Sequence, residues 1–270
     1  MTSLQDYLDI ATLLAPSLAT AFAVGVAGSI VGTFILLRKE AMLALALPQV
    51  IAVGVAVGMR MNWPTLPPAI GAAGVAVTGL AATQRHRSAQ WLLPALYVAG
   101  LCFSFLVIAN AGAHVSEMQN AFTGIDVAVA PGEAAFAVPA LLIVAGVVAA
   151  LWRRWLLLSQ APVIAELAGL SPGRWHLLFL VLTATVLVLG TNALGVVLVL
   201  AMLFLPAATV LPWVRRVPTA LVAAPIVAVM TTAGGFVLSV EMNWPMSQSI
   251  GALAVLLTLM SATFNRLAQR

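Results

Sequence analysis

Long apolar runs separated by short polar gaps set the pattern of this chain. Nine runs approach the length of a membrane span, at roughly 12–37, 41–59, 65–83, 89–110, 134–152, 175–191, 194–214, 218–240 and 247–264. A helix rises about 1.5 Å per residue, so about 20 mostly apolar residues cross about 30 Å of hydrocarbon. The runs are continuous rather than alternating, which favours helices over a barrel. The pattern predicts an all-α, polytopic transmembrane bundle of about nine spans, one of the 175–214 pair being short enough to fall below a full span. Pro48, Pro94, Pro139 and Pro206 predict kinks or breaks inside runs. Gly25, Gly28 and Gly32, then Gly54 and Gly58, then Gly71 and Gly74, have the spacing that lets helices approach closely in lipid.

The charges fall in the gaps and alternate in sign. Eleven of the twelve basic residues fall on one side: Arg38, Lys39, Arg85, Arg87, Arg153, Arg154, Arg174, Arg215, Arg216, Arg266 and Arg270, with Arg60 the exception. Six of the eight acids fall on the other: Asp6, Asp9, Glu117, Asp126, Glu133 and Glu241, with Glu40 and Glu166 the exceptions. Short cytoplasmic loops retain Lys and Arg, so the pattern places the N-terminus outside and the C-terminus in the cytoplasm.

Composition sharpens this picture. The chain is 63% hydrophobic with a mean hydropathy of +1.10, against about 45–50% apolar for a soluble domain. No polar stretch is long enough for a second domain, so residues 1–270 read as one transmembrane domain with a short cytoplasmic helix near 160–170. The net charge of +4 does not point to nucleic acid. The basic residues are isolated pairs at run ends, suited to lipid headgroups. Asp6 and Asp9 replace the basic segment of a secretory signal, so the first run is expected to remain a span. The single Cys102 excludes an intrachain disulfide.

Chemistry is sparse. There is no GxxxxGK[ST], HExxH or CxxC pattern, and acids are nearly absent from the runs, which argues against a proton-coupled pump. Met61-Asn62-Trp63-Pro64 recurs as Met242-Asn243-Trp244-Pro245. The repeat reads as a turn with Trp at the headgroup level, or as a matched pair of outer elements near a substrate entrance. In the longest cytoplasmic gap, Pro162 suits a first helical turn, Ala165, Glu166 and Ala168 favour helix, and Gly169 then Pro172 stop it.

With that helix in place, the chain resembles the membrane subunits of bacterial ATP-binding cassette importers for zinc, manganese and iron. The resemblance rests on Gly28–Phe34 running into Leu37-Arg38-Lys39; on Ala161–Gly169, similar to the family's coupling segment; on Gly195–Leu198 through Leu205-Pro206-Ala207-Ala208-Thr209, its most specific signature; and on Gly234-Gly235-Phe236 with Ser239, Asn243, Pro245 and Ser249. It implies a permease subunit in the bacterial inner membrane that moves a divalent metal ion by alternating access, zinc first and then manganese or iron. The chain itself would be no enzyme and bind no cofactor. ATP and magnesium would sit on a separate cytoplasmic ATPase, coupled through Pro162, Ala165, Glu166 and Gly169. A second permease subunit, as a homodimer, and an extracytoplasmic metal-binding protein would complete the importer.

One departure stands out. Where the family carries Asp-x-x-x-His near the start of the second span, this chain has Leu45 and Gln49. Leu cannot ligate, and a neutral amide oxygen suits zinc poorly. The metal would then pass without a fixed site, or other residues would serve, or the cargo would be a metal chelate or other small molecule. Met42 and Met202 are soft-ligand candidates in the pathway, or core packing. His114 and Glu117, three residues apart, and Glu241 with Asn243 are outer-face metal or partner candidates, or solvated loop positions. A channel or secondary transporter without an ATPase is the reading from a different class.

Overall fold

The computed structural model describes residues 10–83, 92–109, 124 and 129–268. Each apolar run forms a helix, with ends moved by a few residues: α1 (Ala15–Leu37), α2 (Ala41–Arg60), α3 (Leu66–Thr83), α4 (Leu92–Ala109), α5 (Pro131–Ala150), α8 (Pro172–Leu194), α9 (Val196–Val210), α10 (Val217–Met242) and α11 (Met246–Ala268). Two short helices, α6 (Trp152–Gln160) and α7 (Pro162–Leu167), fill the gap before α8. No strand occurs among the described residues. Helices α1, α2, α5, α8, α10 and α11 are long and apolar enough to cross a membrane; the apolar stretches of α3, α4 and α9 are shorter.

Local chemistry sets the ends. Pro16, Pro131, Pro162, Pro172 and Pro218 fall in the first two helical positions, where no N–H is required. Four ends share one closure, in which a residue with positive φ lets the next N–H bond a carbonyl five residues back. Glu40 N–H donates to the Ile35 carbonyl past Lys39, Trp63 to Gly58 past Asn62, Leu170 to Ala165 past Gly169, and Trp244 to Ser239 past Asn243. The Met-Asn-Trp-Pro repeat is thus a helix stop: Asn turns the chain, and Pro leads into the next helix. Gly195, with φ of 81° and ψ of 164°, breaks the 175–214 stretch into α8 and α9.

Helix α1 is the hub, packing on α5, α9 and α10. Two of its glycines lie on the α9 backbone: a Cβ at Gly32 would clash with the Leu203 carbonyl oxygen, and one at Gly28 would stand 3.3 Å from that of Met202. Pro206 has no N–H to give that Met202 carbonyl, so close approach occurs where the α9 ladder is interrupted. Without a hydrophobic force between helices in lipid, such close packing supplies the cohesion. Helix α2 packs along α3 and α4, and a Cβ at Gly100 would stand 2.7 Å from the Gln49 backbone carbon.

Neighbouring runs alternate in direction. At one end Leu36 packs against the cluster of Ala207, Val210, Ala220 and Ala224, Arg38 meets His176, and the Trp213 indole N–H donates to the Ser261 hydroxyl at 2.6 Å. At the other, the Val129 N–H donates to the Ser17 hydroxyl at 3.1 Å and the Thr65 hydroxyl bonds Asn192. The first, which carries α6 and α7, is called the basic end; the second, the opposite end.

Candidate functional site

Two features at the basic end stand apart from the apolar bundle. The first is α7. Ala165 is fully buried and anchors the helix, while Val163, Ile164 and Leu167 are exposed, Leu167 at 85%. Glu166 is exposed beside them, and Pro162 opens the helix. Gly169 has open space around it; what restricts it is its φ of 79°, not crowding. A short helix outside the spans that displays its apolar side chains is a ready contact surface.

The second is a cluster joining the α1–α2 turn to α6 and α8. Arg38 Nε donates to Glu40 Oε1 at 3.1 Å, and Nη2 lies 3.0 Å from the same oxygen. Nη2 is also 2.5 Å from His176 Nδ1. A guanidinium only donates, so His176 accepts there and is neutral. The guanidinium carbon sits 4.8 Å over the Phe179 ring, a cation–π arrangement. Phe179 packs against buried Trp155 at 5.5 Å, and Trp155 meets Trp175 edge-on at 5.1 Å. Arg154 covers Trp175 at 5.2 Å. Burial pushes the Glu40 carboxyl above its ordinary range, against the opposing pull of Arg38. A hollow of about 300 Å³ beside the cluster is lined by Arg38, Glu40, Leu158, Pro172, Gly173 and His176.

The pathway candidates are not gathered into one site. Met42 is exposed near the basic end, Leu45 is half-buried on α2, and Gln49 is buried at 5% exposure against α4. Met202 is buried on α9, its sulfur 3.6 Å from a Cβ built on Gly25 of α1. The Gln49 Oε1 has no hydrogen-bond partner among the described residues. Among those residues no group of three or more His, Cys, Asp or Glu is placed to hold a metal ion. At the end opposite the basic one Glu241 and Asn243 are exposed, and Asn243 serves the helix stop. His114 and Glu117 lie outside the described residues. A larger hollow of about 540 Å³ between α3, α5 and α8 is almost wholly apolar. Its two threonines, Thr78 and Thr185, bond carbonyls of their own helices.

Sequence reasoning missed the Arg38–Glu40–His176 cluster. The available signal was Glu40, one of two acids on the basic side.

The model of the ABC 3 transport family matches residues 11–265. The manganese transport system membrane protein MntC of Listeria monocytogenes is 26% identical over 200 residues, covering 73% of this chain and 71% of that protein. The manganese import system permease protein ScaB of Streptococcus parasanguinis is 27% identical over 216 residues, covering 77% and 75%. The solved structure of PsaBC from Streptococcus pneumoniae in complex with Fab superimposes with a TM-score of 0.83 at 20% identity, covering 96% of this chain and 95% of that one.

Proposed function

We propose, since the chain belongs to the ABC 3 transport family, that it is the permease subunit of an ATP-driven importer carrying a divalent metal ion into the bacterial cytoplasm. The resemblance alone put zinc first; the relatives named for manganese put manganese first. The basic end faces the cytoplasm, following the charge asymmetry. All nine apolar helices serve as spans, with the N-terminus outside. A second copy completes the pathway, and an extracytoplasmic binding protein delivers the ion. ATP and magnesium act on a separate ATPase pair, whose closure moves α7 and alternates access.

The observation that carries this reading is α7: an anchored short helix at the basic end, presenting Val163, Ile164 and Leu167 outward. Exposed apolar side chains outside the spans have no lipid to cover them, so a partner protein does. The test is co-purification with the cognate ATPase and manganese uptake. Leu167→Glu is expected to abolish both while the permease still inserts. Retention of both overturns α7 as the docking element.

A second reading keeps the architecture and changes the cargo to a metal chelate. It is favoured by Leu45 and Gln49, neither suited to strip or hold a bare ion. The paired Leu45→Asp and Gln49→His substitutions discriminate: gain of manganese or zinc binding supports a bare-ion pathway, and no gain supports the chelate.

A further inference from the structure

We propose that Arg38 is a positioning residue that carries motion of the docking helix to α2. This rests on the permease reading above. The connection is physical and continuous. Helix α7 follows α6 directly, with the Ala161 N–H bonded to the Leu157 carbonyl at 2.9 Å. Helix α6 contributes Trp155, fully buried against Trp175 and Phe179 at the base of α8. Phe179 carries the Arg38 guanidinium, which reaches Glu40, the residue that starts α2. Leu45 and Gln49 lie on that same helix.

The turn that Arg38 holds is the costly one of its type. Lys39 has a φ of 57°, in the left-handed region where a Cβ is disfavoured. The same closure elsewhere uses Asn62, Asn243 or Gly169, residues that tolerate it. Lys39 is exposed, and the residues on either side of it are tied to each other and to α8. The turn's conformation therefore depends on the cluster, as strain persists only where surroundings impose it.

The cluster is also incompletely bonded. Arg38 Nη1, Glu40 Oε2 and Trp155 Nε1 are buried without hydrogen-bond partners among the described residues. The hollow of about 300 Å³ lies alongside. The open space beside the cluster leaves room for the Arg38 and Glu40 side chains to take a second arrangement, and two discrete arrangements are what a coupling element requires.

The test uses the importer assembled with its ATPase and binding protein, reading metal ions moved per ATP hydrolysed. Arg38→Met with Glu40→Gln removes the ion pair without stranding a charge. It is expected to leave assembly and ATP hydrolysis within twofold and lower ions per ATP at least tenfold. His176→Leu is expected to do the same, and His176→Asn, which keeps an acceptor near the Nδ1 position, to restore coupling. Arg38→Lys is expected to fail, because a compact ammonium cannot cover Phe179 and serve both partners. Unchanged ions per ATP in the double variant and in His176→Leu overturns the proposal. Parallel loss of assembly, hydrolysis and uptake in both also overturns it, since that is a structural role. A wild-type assembly without ATP-dependent uptake instead overturns the permease reading.

Discussion

The turns at Lys39 and Asn62 close with the same pair of hydrogen bonds, yet they are supported differently. At Asn62 the Trp63 N–H reaches Gly58 and the Asn62 N–H reaches Met59; at Lys39 the Glu40 N–H reaches Ile35 and the Lys39 N–H reaches Leu36. Asn accepts a positive φ at low cost, so the turn at Asn62 supports itself. Its repeat at Asn243 does likewise. Lys bears the full penalty, and the turn at the basic end stands because Arg38, Glu40, His176 and Phe179 brace it. One backbone motif thus yields a self-sufficient stop at one end of the bundle and a dependent one at the other. Only the dependent one responds when its neighbours move, and those neighbours connect through Trp155 of α6 to the helix proposed to meet the ATPase.

The contrast breaks most sharply at Arg38. Arg38→Ala strands a Glu40 carboxylate that is 24% exposed, and is expected to cost somewhat less than the about 3–5 kcal/mol of a fully buried ion pair losing one partner. Thermal unfolding in detergent checks this, and the Arg38→Met/Glu40→Gln double variant should lose less. Next come the turn residues. Asn62→Val should cost about 1–2 kcal/mol and Asn62→Gly only a few tenths, while Lys39→Gly should gain about 1 kcal/mol by relieving the left-handed strain. Equal responses at both turns would remove the distinction. A smaller effect is expected at the α9–α11 contact near the basic end. There the Thr258 hydroxyl meets Thr209 at 2.9 Å, and the Ser261 hydroxyl donates to the Thr209 carbonyl at 2.7 Å. Thr258→Val should cost about 1 kcal/mol. The smallest signal concerns additivity. Asn62→Ala and Asn243→Ala should combine within about 0.5 kcal/mol, whereas Arg38→Met and Phe179→Leu should deviate by about 0.5–3 kcal/mol.

The helices were legible in the sequence because lipid imposes one rule, a continuous apolar run, and every described run obeyed it. The α7 boundaries were legible from Pro162 and Gly169, residues whose backbone limits do not depend on neighbours. Helix α6 was not foreseen, since Trp152–Gln160 mixes charge with apolar residues and borrows its stability from Trp155 in the aromatic stack. The cluster was only half legible. Glu40 violated the charge pattern, but its partner His176 lies 138 positions from Arg38, and nothing local links them. Among the pathway candidates, Leu45 and Gln49 follow from register against Gly54–Gly58, and Met42 and Met202 from their sulfur. The structure puts Met202 against α1 and Gln49 against α4, where glycines bring the backbones together.

The measurement that bears most directly on the central claim is elemental analysis of cells with and without this chain, grown under limitation of manganese, zinc, iron, copper or nickel. The account predicts a selective fall in cell manganese when the chain is absent, restored by the wild-type chain and not by Leu167→Glu. Unchanged content of every metal would contradict a metal importer and turn attention to a different cargo.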